Sequence, residues 1–129
     1  MKYIRIIAIL LLVSGCGQAV TESEGTNMYK QISMAEAKEM MNTESDYILL
    51  DVRTQEEYAD GHIPGAICVP NEEIDTEPPV ELPDKEQVIL VYCRSGNRSR
   101  QAAAKLAAMG YSNIKEFGGI IDWNGEIEK

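Results

Sequence analysis

Short apolar runs separated by amphipathic or polar stretches recur along most of this chain. The strongest run, residues 88–92, is apolar without alternation, which is typical of a strand buried on both faces of a parallel sheet. Weaker runs at residues 30–32, 47–51, 67–69 and 114–117 predict four further strands. Because helical patterns separate these runs, the order predicts a single α/β domain. We expect a central parallel sheet of about five strands with helices on both faces.

Helix signals lie between the predicted strands. Ser33 and Thr54 each precede a glutamate by three positions, which is the spacing of a capping box and predicts a helix start at both sites. A longer helix is predicted over residues 100–109, and a last helix from residue 120. The acidic, proline-rich stretch 71–85 predicts a loop with a brief helical turn at most.

A cysteine stands at the end of the strongest predicted strand. Cys93 precedes a loop that carries Arg94, Gly96 and Arg98. In open α/β sheets, ligands bind beyond the carboxyl ends of the strands, where helix amino termini offer free N–H groups. Only a thiolate is a good nucleophile, and an ordinary cysteine with a pKa of about 8.5 is mostly protonated at neutral pH. The pattern predicts a reactive thiolate, with a buried structural cysteine as the alternative.

The residues after this cysteine supply what an anionic sulfur needs. Arg94 and Arg98 carry permanent positive charge, and Gly96 and Asn97 tolerate the left-handed backbone that aims N–H groups inward. Ser99 is a suitable cap for the helix that follows. Together these residues favour the thiolate over the thiol.

Three motifs then carry a family resemblance. They are ILLDVR at 48–53 with EEY at 56–58, GHIPGA at 61–66, and the glycine pair 118–119 with Trp123. With the cysteine loop, their order and spacing resemble a single rhodanese-like (sulfurtransferase) domain over about residues 31–128. No internal repeat is present, so the chain does not resemble the tandem form of this family.

The resemblance implies a sulfur-transfer reaction. Cys93 would take a sulfane sulfur from thiosulfate, polysulfide or a persulfide donor, hold it as a persulfide, and pass it to a thiol or to cyanide. No cofactor or metal is implied, and no histidine and cysteine cluster has metal-ligand spacing. The donor and the persulfide charge would be bound by the loop that follows the cysteine, namely Arg94, Ser95, Gly96, Asn97, Arg98 and Ser99.

The length of the loop from Cys93 to Arg98 helps to distinguish between candidate enzyme classes. The spacing from Cys93 to Arg98 is C-x4-R, which is similar to rhodaneses, whereas phosphatases and arsenate reductases of similar fold carry one residue more. A small enzyme of that second kind is therefore a weaker hypothesis. The other alternative is a non-catalytic binding or regulatory module that kept the fold but lost turnover.

Several other residues have expected roles outside the loop. Asp51 and Arg53 leave the carboxyl end of a neighbouring strand and, by the resemblance, would support the active loop, with a surface ion pair as the alternative. His62, the only histidine, is expected to make backbone hydrogen bonds, with activation of Cys93 as the alternative. Trp123 is expected to be a packing anchor.

Cys68 is the second cysteine of the predicted domain. It lies in a predicted short buried strand, which favours an inert packed thiol. The alternative is a redox partner for Cys93, as in a thiol–disulfide protein.

The amino-terminal sequence predicts export. Residues 1–15 begin with basic side chains and continue with an apolar stretch too short for an ordinary membrane span, as in a signal peptide. Residues 13–16 resemble a bacterial lipoprotein box, in which Cys16 is lipidated, and residues 16–29 read as a flexible tether. We expect a domain over residues 30–129, lipid-anchored to the outer face of a bacterial membrane, on the periplasmic or cell-surface side. An ordinary signal peptide or an uncleaved anchor is the alternative.

The charge of the chain narrows its partners. The formal net charge is −9, which disfavours nucleic acid and leaves the lipid anchor as the only membrane contact. Against this acidic background, Arg94, Arg98 and Arg100 are hypothesised to form a local positive funnel for a small anion, with pairing of some of them to carboxylates as the alternative. The expected partners are a small anionic sulfur donor and a thiol acceptor, and the chain is expected to be a monomer.

Overall fold

The computed structural model describes residues 29–129. The predicted signal peptide, the predicted lipidation site Cys16 and nearly all of the predicted tether lie outside the described residues. Within them, five parallel strands form one sheet in the order β1-β5-β4-β2-β3. The strands are β1 (Lys30–Gln31), β2 (Tyr47–Asp51), β3 (Ile67–Cys68), β4 (Val88–Cys93) and β5 (Ile114–Gly119). The predicted α/β class and parallel five-stranded sheet are confirmed.

Three helices connect the strands: α1 (Met34–Thr43), α2 (Gln55–Asp60) and α3 (Asn97–Ala108). Both predicted capping boxes are present, with the Ser33 and Thr54 side chains each bonded to the backbone three residues later. Short 3-10 turns cover Asn71–Glu73 and Ile120–Asp122. No helix among residues 29–129 is long and apolar enough to cross a membrane.

The core lies on both faces of the sheet, as the predicted arrangement requires. On one face, Val91 of β4 packs in a cluster with Ala102 and Leu106 of α3. On the other face, Leu90 packs with Ala37 of α1. Since consecutive residues of β4 point to opposite faces, this strand is buried on both sides, which accounts for its unbroken apolar sequence.

The first or last residues of some helices differ from the predicted bounds. Helix α3 begins at Asn97, three positions before the predicted start, because Gly96 turns the chain with φ +111° as the residue preceding the helix. The predicted last helix is only the 3-10 turn at Ile120–Asp122. The chain after it is instead drawn into an isolated antiparallel bridge between Glu128 and His62.

Candidate active site

The predicted nucleophile lies at the carboxyl end of the central strand of the sheet. Cys93 is the last residue of β4, which β2 and β5 flank on either side. The next three residues form a tight loop, and α3 begins directly after them at Asn97. A sulfur in this position faces the amino terminus of a helix, where unpaired backbone N–H groups and the helix dipole stabilise negative charge.

The sulfur is held by short contacts inside its own loop. The Gly96 amide donates to Cys93 Sγ at 3.0 Å, and Ser99 Oγ lies 3.4 Å from the same sulfur. Burial, the largest single influence, raises the pKa of the Cys93 thiol, but hydrogen bonds from the Ser99 hydroxyl and from the backbone of Ser99, Gly96 and Ser95 outweigh it. The net result is a pKa below the ordinary cysteine value. Cys93 is only 1% exposed, so little of its surface is open to a reactant.

Two of the predicted loop roles are wrong. Ser99 does not cap α3, since it lies within the first turn, where Gly96 occupies the cap position and Ser99 Oγ bonds inward. Asn97 does not adopt a left-handed backbone, because it is already helical. The single turn at Gly96 is enough to aim the loop amide at the sulfur, so a second left-handed residue is not required.

Arg98 does not point freely into the site. Its guanidinium makes a paired hydrogen bond with the Glu57 carboxylate, with distances of 2.8 and 3.1 Å. The Arg98 hydrogen bond is the largest influence on Glu57 and lowers the pKa of that carboxyl to about 2. The alternative in which a loop arginine pairs with a carboxylate therefore holds for Arg98. Arg94 and Arg100 are exposed and remain the cations beside the loop that make no ion pair among the described residues.

Asp51 and Arg53 form a buried network beside β4 rather than bonding to the loop. The Arg53 guanidinium donates to Asp51 at 2.7 Å and to the Gly61 carbonyl at 2.7 Å. Tyr92, the residue before Cys93, donates its hydroxyl to Asp51 at 2.8 Å. Their connection to the loop is indirect, through Tyr92 of the strand that ends in Cys93, so the supporting role stays a prediction. The alternative of a surface ion pair is wrong because both side chains are buried.

His62 and Trp123 have the architectural contacts expected of them. The His62 ring stacks on Tyr58 at a centroid distance of 3.7 Å, and its Nδ1 lies 2.8 Å from the Tyr58 carbonyl. Trp123 packs against the cluster on the α1 face and donates its indole N–H to the Glu126 carbonyl. The His62 contacts join the turn to α2, and the Trp123 contacts anchor the carboxy-terminal segment on the α1 face.

Cys68 lies across the sheet from Cys93. Asp51 of the central strand β2 pairs with Cys68 on one side and with Tyr92 on the other, so Cys68 and Tyr92 are two strand spacings apart, about 10 Å. Cys93 is the next residue along. A disulfide needs Cα atoms within about 7 Å, so these two cysteines do not meet in the folded domain. Burial, followed by the Asp51 charge, raises the pKa of the Cys68 thiol to about 11.

Glu116 is a further residue beside the loop that the sequence motifs did not indicate. This residue is 2% exposed on β5, and its carboxylate accepts the Ser99 hydroxyl at 2.5 Å and the Gly118 amide at 2.9 Å. The signal was available in the alternation of β5, because a residue two positions after the buried Ile114 points to the same face. A charged residue at such a position requires a polar partner.

Two cavities lie away from the Cys93 loop, at the end of the sheet where β2 begins. One of about 480 Å³ and one of about 270 Å³ are lined by the start of β2, Pro64 and neighbouring residues. Neither lining includes the Cys93 loop. No group of histidine, cysteine and acidic residues that could hold a metal ion occurs among residues 29–129.

These features define an α/β domain that presents a cysteine in a tight loop between a central parallel strand and a helix. The Rhodanese-like domain family matches residues 33–126, and the chain belongs to this family, as the motifs predicted.

Known proteins with a similar sequence or structure include sulfurtransferases and a rhodanese. The chain is 38% identical over 73 residues to the thiosulfate sulfurtransferase PspE of Escherichia coli (strain K12), a match that covers 57% of this chain and 70% of PspE. A solved rhodanese with anions from E. coli has a TM-score of 0.59 and 35% identity, covering 64% of this chain and 98% of that one. The adenylyltransferase and sulfurtransferase UBA4 of Meyerozyma guilliermondii is 37% identical over 93 residues, which is 66% of this chain but only 22% of UBA4.

Proposed function

We propose that this rhodanese-like chain is a sulfurtransferase in which Cys93 carries a sulfane sulfur from thiosulfate, polysulfide or a persulfide donor to a thiol or cyanide. The donor's outer sulfur is attacked by the Cys93 thiolate, the bond to the leaving group breaks, and a persulfide remains on the enzyme. An acceptor thiolate or cyanide then takes that sulfur and restores the Cys93 thiolate. The reaction needs no cofactor.

The observation that carries this proposal is the environment of the sulfur. The Gly96 amide and the Ser99 hydroxyl lie at 3.0 and 3.4 Å from Sγ, and together with the start of α3 they favour an anion there. Because Cys93 is 1% exposed, a narrow terminal sulfur fits the approach better than a bulky phosphate ester. The exposed Arg94 and Arg100 supply positive charge for an anionic donor, whereas Arg98 acts through Glu57 to fix the loop.

The test is intact-mass spectrometry of the purified chain mixed with thiosulfate or polysulfide under non-reducing conditions. We expect a gain of one sulfur atom, removed by cyanide and absent from a Cys93→Ser variant. A Cys68→Ser variant is the matched control and should gain the same adduct. A folded chain with a free Cys93 thiol but no adduct would instead support a non-catalytic binding module.

We also propose that the chain is exported and anchored by lipid on Cys16, on the basis of the lipoprotein-box sequence at residues 13–16. Cell fractionation tests this. The wild-type chain should sediment with membranes, and a Cys16→Ser variant should lose that association while keeping the persulfide activity. A Cys16→Ser variant that stays with the membranes would favour an uncleaved anchor.

A further inference from the structure

A buried glutamate is connected to the reactive sulfur by hydrogen bonds. Glu116 Oε2 accepts the Ser99 hydroxyl at 2.5 Å and the Gly118 amide at 2.9 Å. Its Oε1 accepts the side-chain amide of Gln31 at 3.2 Å. Ser99 Oγ in turn lies 3.4 Å from Cys93 Sγ. A continuous path therefore links the sulfur to a carboxylate that is itself 2% exposed.

The Ser99 hydroxyl has one proton to give. The carbonyls of Gly96 and Gly118 lie 3.0 and 3.3 Å from its oxygen, but Glu116 is nearer at 2.5 Å, a distance typical of a hydroxyl donating to a carboxylate. With its proton committed to Glu116, Ser99 can only accept from Cys93, which is then a thiol. For Ser99 to donate to a Cys93 thiolate, the proton has to be rearranged.

The surroundings favour one negative charge in this cluster rather than two. The start of α3 with its Gly96 amide is the positive element facing the cluster. The β4 sequence carries no charged side chain, and α1 packs on the other face of β5, where Ala37 and Phe117 cluster. Two anions within two hydrogen bonds of each other in a buried site repel strongly.

The cations on the elements packed against Glu116 are also largely engaged elsewhere. Arg98 is bound to Glu57 and Lys105 donates to the Asn71 carbonyl. Lys30 on β1 and Arg100 on α3 are exposed to solvent. None of these four makes a hydrogen bond or ion pair with Glu116 among the described residues.

We propose that Cys93, Ser99 and Glu116 share one proton, so that Glu116 takes up the proton that Cys93 releases. The Cys93 S–H bond breaks as its proton moves to Ser99 Oγ, while the original Ser99 proton moves to Glu116 Oε2. The products are a thiolate, an intact serine hydroxyl that donates to it, and a neutral carboxylic acid. The total charge of the cluster does not change, and no other reactant is needed.

Glu116 is in this sense a positioning residue that acts through Ser99. The inference rests on the proposed function only because sulfur transfer gives the thiolate its use. Formation of the thiolate itself does not require a sulfur donor, so it can be measured separately.

The test is the pH profile of Cys93 alkylation in the full chain, with iodoacetamide as the reagent and mass spectrometry of the Cys93 peptide as the readout. In wild type, proton transfer within the cluster does not depend on bulk pH, so alkylation should hold a plateau into the acid range. In Glu116→Gln the thiol must release its proton to water, so a single titration step replaces the plateau. We expect the variant to be at least about tenfold slower at acid pH, which corresponds to one unit of the titration.

The deficit of the variant should also disappear or reverse at alkaline pH. At alkaline pH the variant should react as fast as wild type or faster, because the neutral amide no longer opposes the thiolate charge. Glu72→Gln, which changes an exposed carboxylate that is not part of the cluster, is the matched control and should keep the wild-type profile. A Glu116→Gln profile equal to wild type, or lowered by one constant factor at every pH, would overturn the proposal.

A second variant covers failure of Glu116→Gln to fold. Ser99→Ala breaks the same path and should lose the acid plateau, whereas Ser99→Thr keeps a hydroxyl and should retain it. A Ser99→Ala protein that alkylates normally at acid pH would overturn the relay. Since no sulfur donor is used, a chain that shows the plateau but never forms a persulfide contradicts the proposed function alone.

Discussion

The Glu57 carboxylate and the Arg98 guanidinium form a two-point contact, at 2.8 and 3.1 Å, between α2 and the start of α3. Glu57 also accepts the Thr54 amide at 3.0 Å in the capping box of α2. One side chain therefore both begins a helix and fixes the last residue of the C-x4-R loop. This contact fixes the loop to α2, and as a result the Arg98 guanidinium is already paired and not free to bind a ligand in the site.

Glu57→Gln should weaken this contact without removing the cap. Glutamine can still complete a capping box, so the loss is mainly the charge pairing with Arg98. Because both side chains are about 30% exposed, we expect at most about 1 kcal/mol of lost stability near neutral pH, measured by urea unfolding. Glu56→Gln, an exposed neighbour on the same helix, should change less.

The effect should depend on pH in a defined direction. The pKa of Glu57 falls from an ordinary 4.5 to about 2 in the folded chain, so its stabilisation is complete above pH 4.5 and is lost as pH falls through 2. The stability difference between wild type and Glu57→Gln should shrink across that interval. A difference that stays constant between those pH values would contradict the assignment of the low pKa to Glu57.

Asp51→Asn should be much more damaging. Asp51 is fully buried and accepts from both Arg53 and Tyr92, so the variant leaves a buried guanidinium without its counter-charge. Breaking a buried pair in this way typically costs about 3–5 kcal/mol of unfolding free energy. Chemical denaturation of the two proteins measures the difference directly.

Tyr92→Phe is the matched control for that network. It removes only the hydroxyl that donates to Asp51 and to which the Ile63 amide donates, while the ion pair stays intact. We expect a loss of about 1–3 kcal/mol, smaller than for Asp51→Asn. Equal losses in the two variants would show that the Arg53 charge is not what makes Asp51 costly to replace.

The features that sequence predicted well are local ones. The β4 strand, the cysteine at its end and the two capping boxes are each written in a few consecutive residues, because hydrophobic period and cap spacing act over one or two turns. The glycine after the cysteine also signals a turn. These local patterns were enough to place Cys93 at the carboxyl edge of a parallel sheet.

The contacts that sequence missed join distant residues. Ser99 meets Glu116 across 17 positions, and Arg98 meets Glu57 across 41. No periodicity encodes such pairs, since they depend on how strands and helices pack after folding. The same reason explains the misassigned Ser99: a hydroxyl near a helix start suits a cap, and only the buried carboxylate beside it shows that it bonds inward.

Cys68→Ser should leave sulfur uptake by Cys93 unchanged within about twofold, since the cysteines are two strands apart and do not pair. In wild type, the pKa of Cys68 near 11 should also make its alkylation rise steeply with pH at values where Cys93 is already ionised. Peptide mapping after alkylation at several pH values separates the two thiols. A Cys68–Cys93 disulfide recovered from oxidised, folded protein would contradict this expectation.

Gly119→Ala should disable the site through its backbone. A Cβ at residue 119 would overlap the Arg94 carbonyl and approach Ser95 Cα to 2.5 Å, because β5 runs directly beneath the loop. The loop would have to move away from Cys93, and a misplacement of about 1 Å can cost about a hundredfold in rate. We therefore expect sulfur uptake by Cys93 to fall by about that factor.

Gly65→Ala is the control: residue 65 has φ +90° but nothing within 4 Å of an added Cβ, so it should cost about 1–2 kcal/mol of stability and leave sulfur uptake intact. Equal loss of uptake in both variants would mean that general destabilisation, and not displacement of the loop, is responsible.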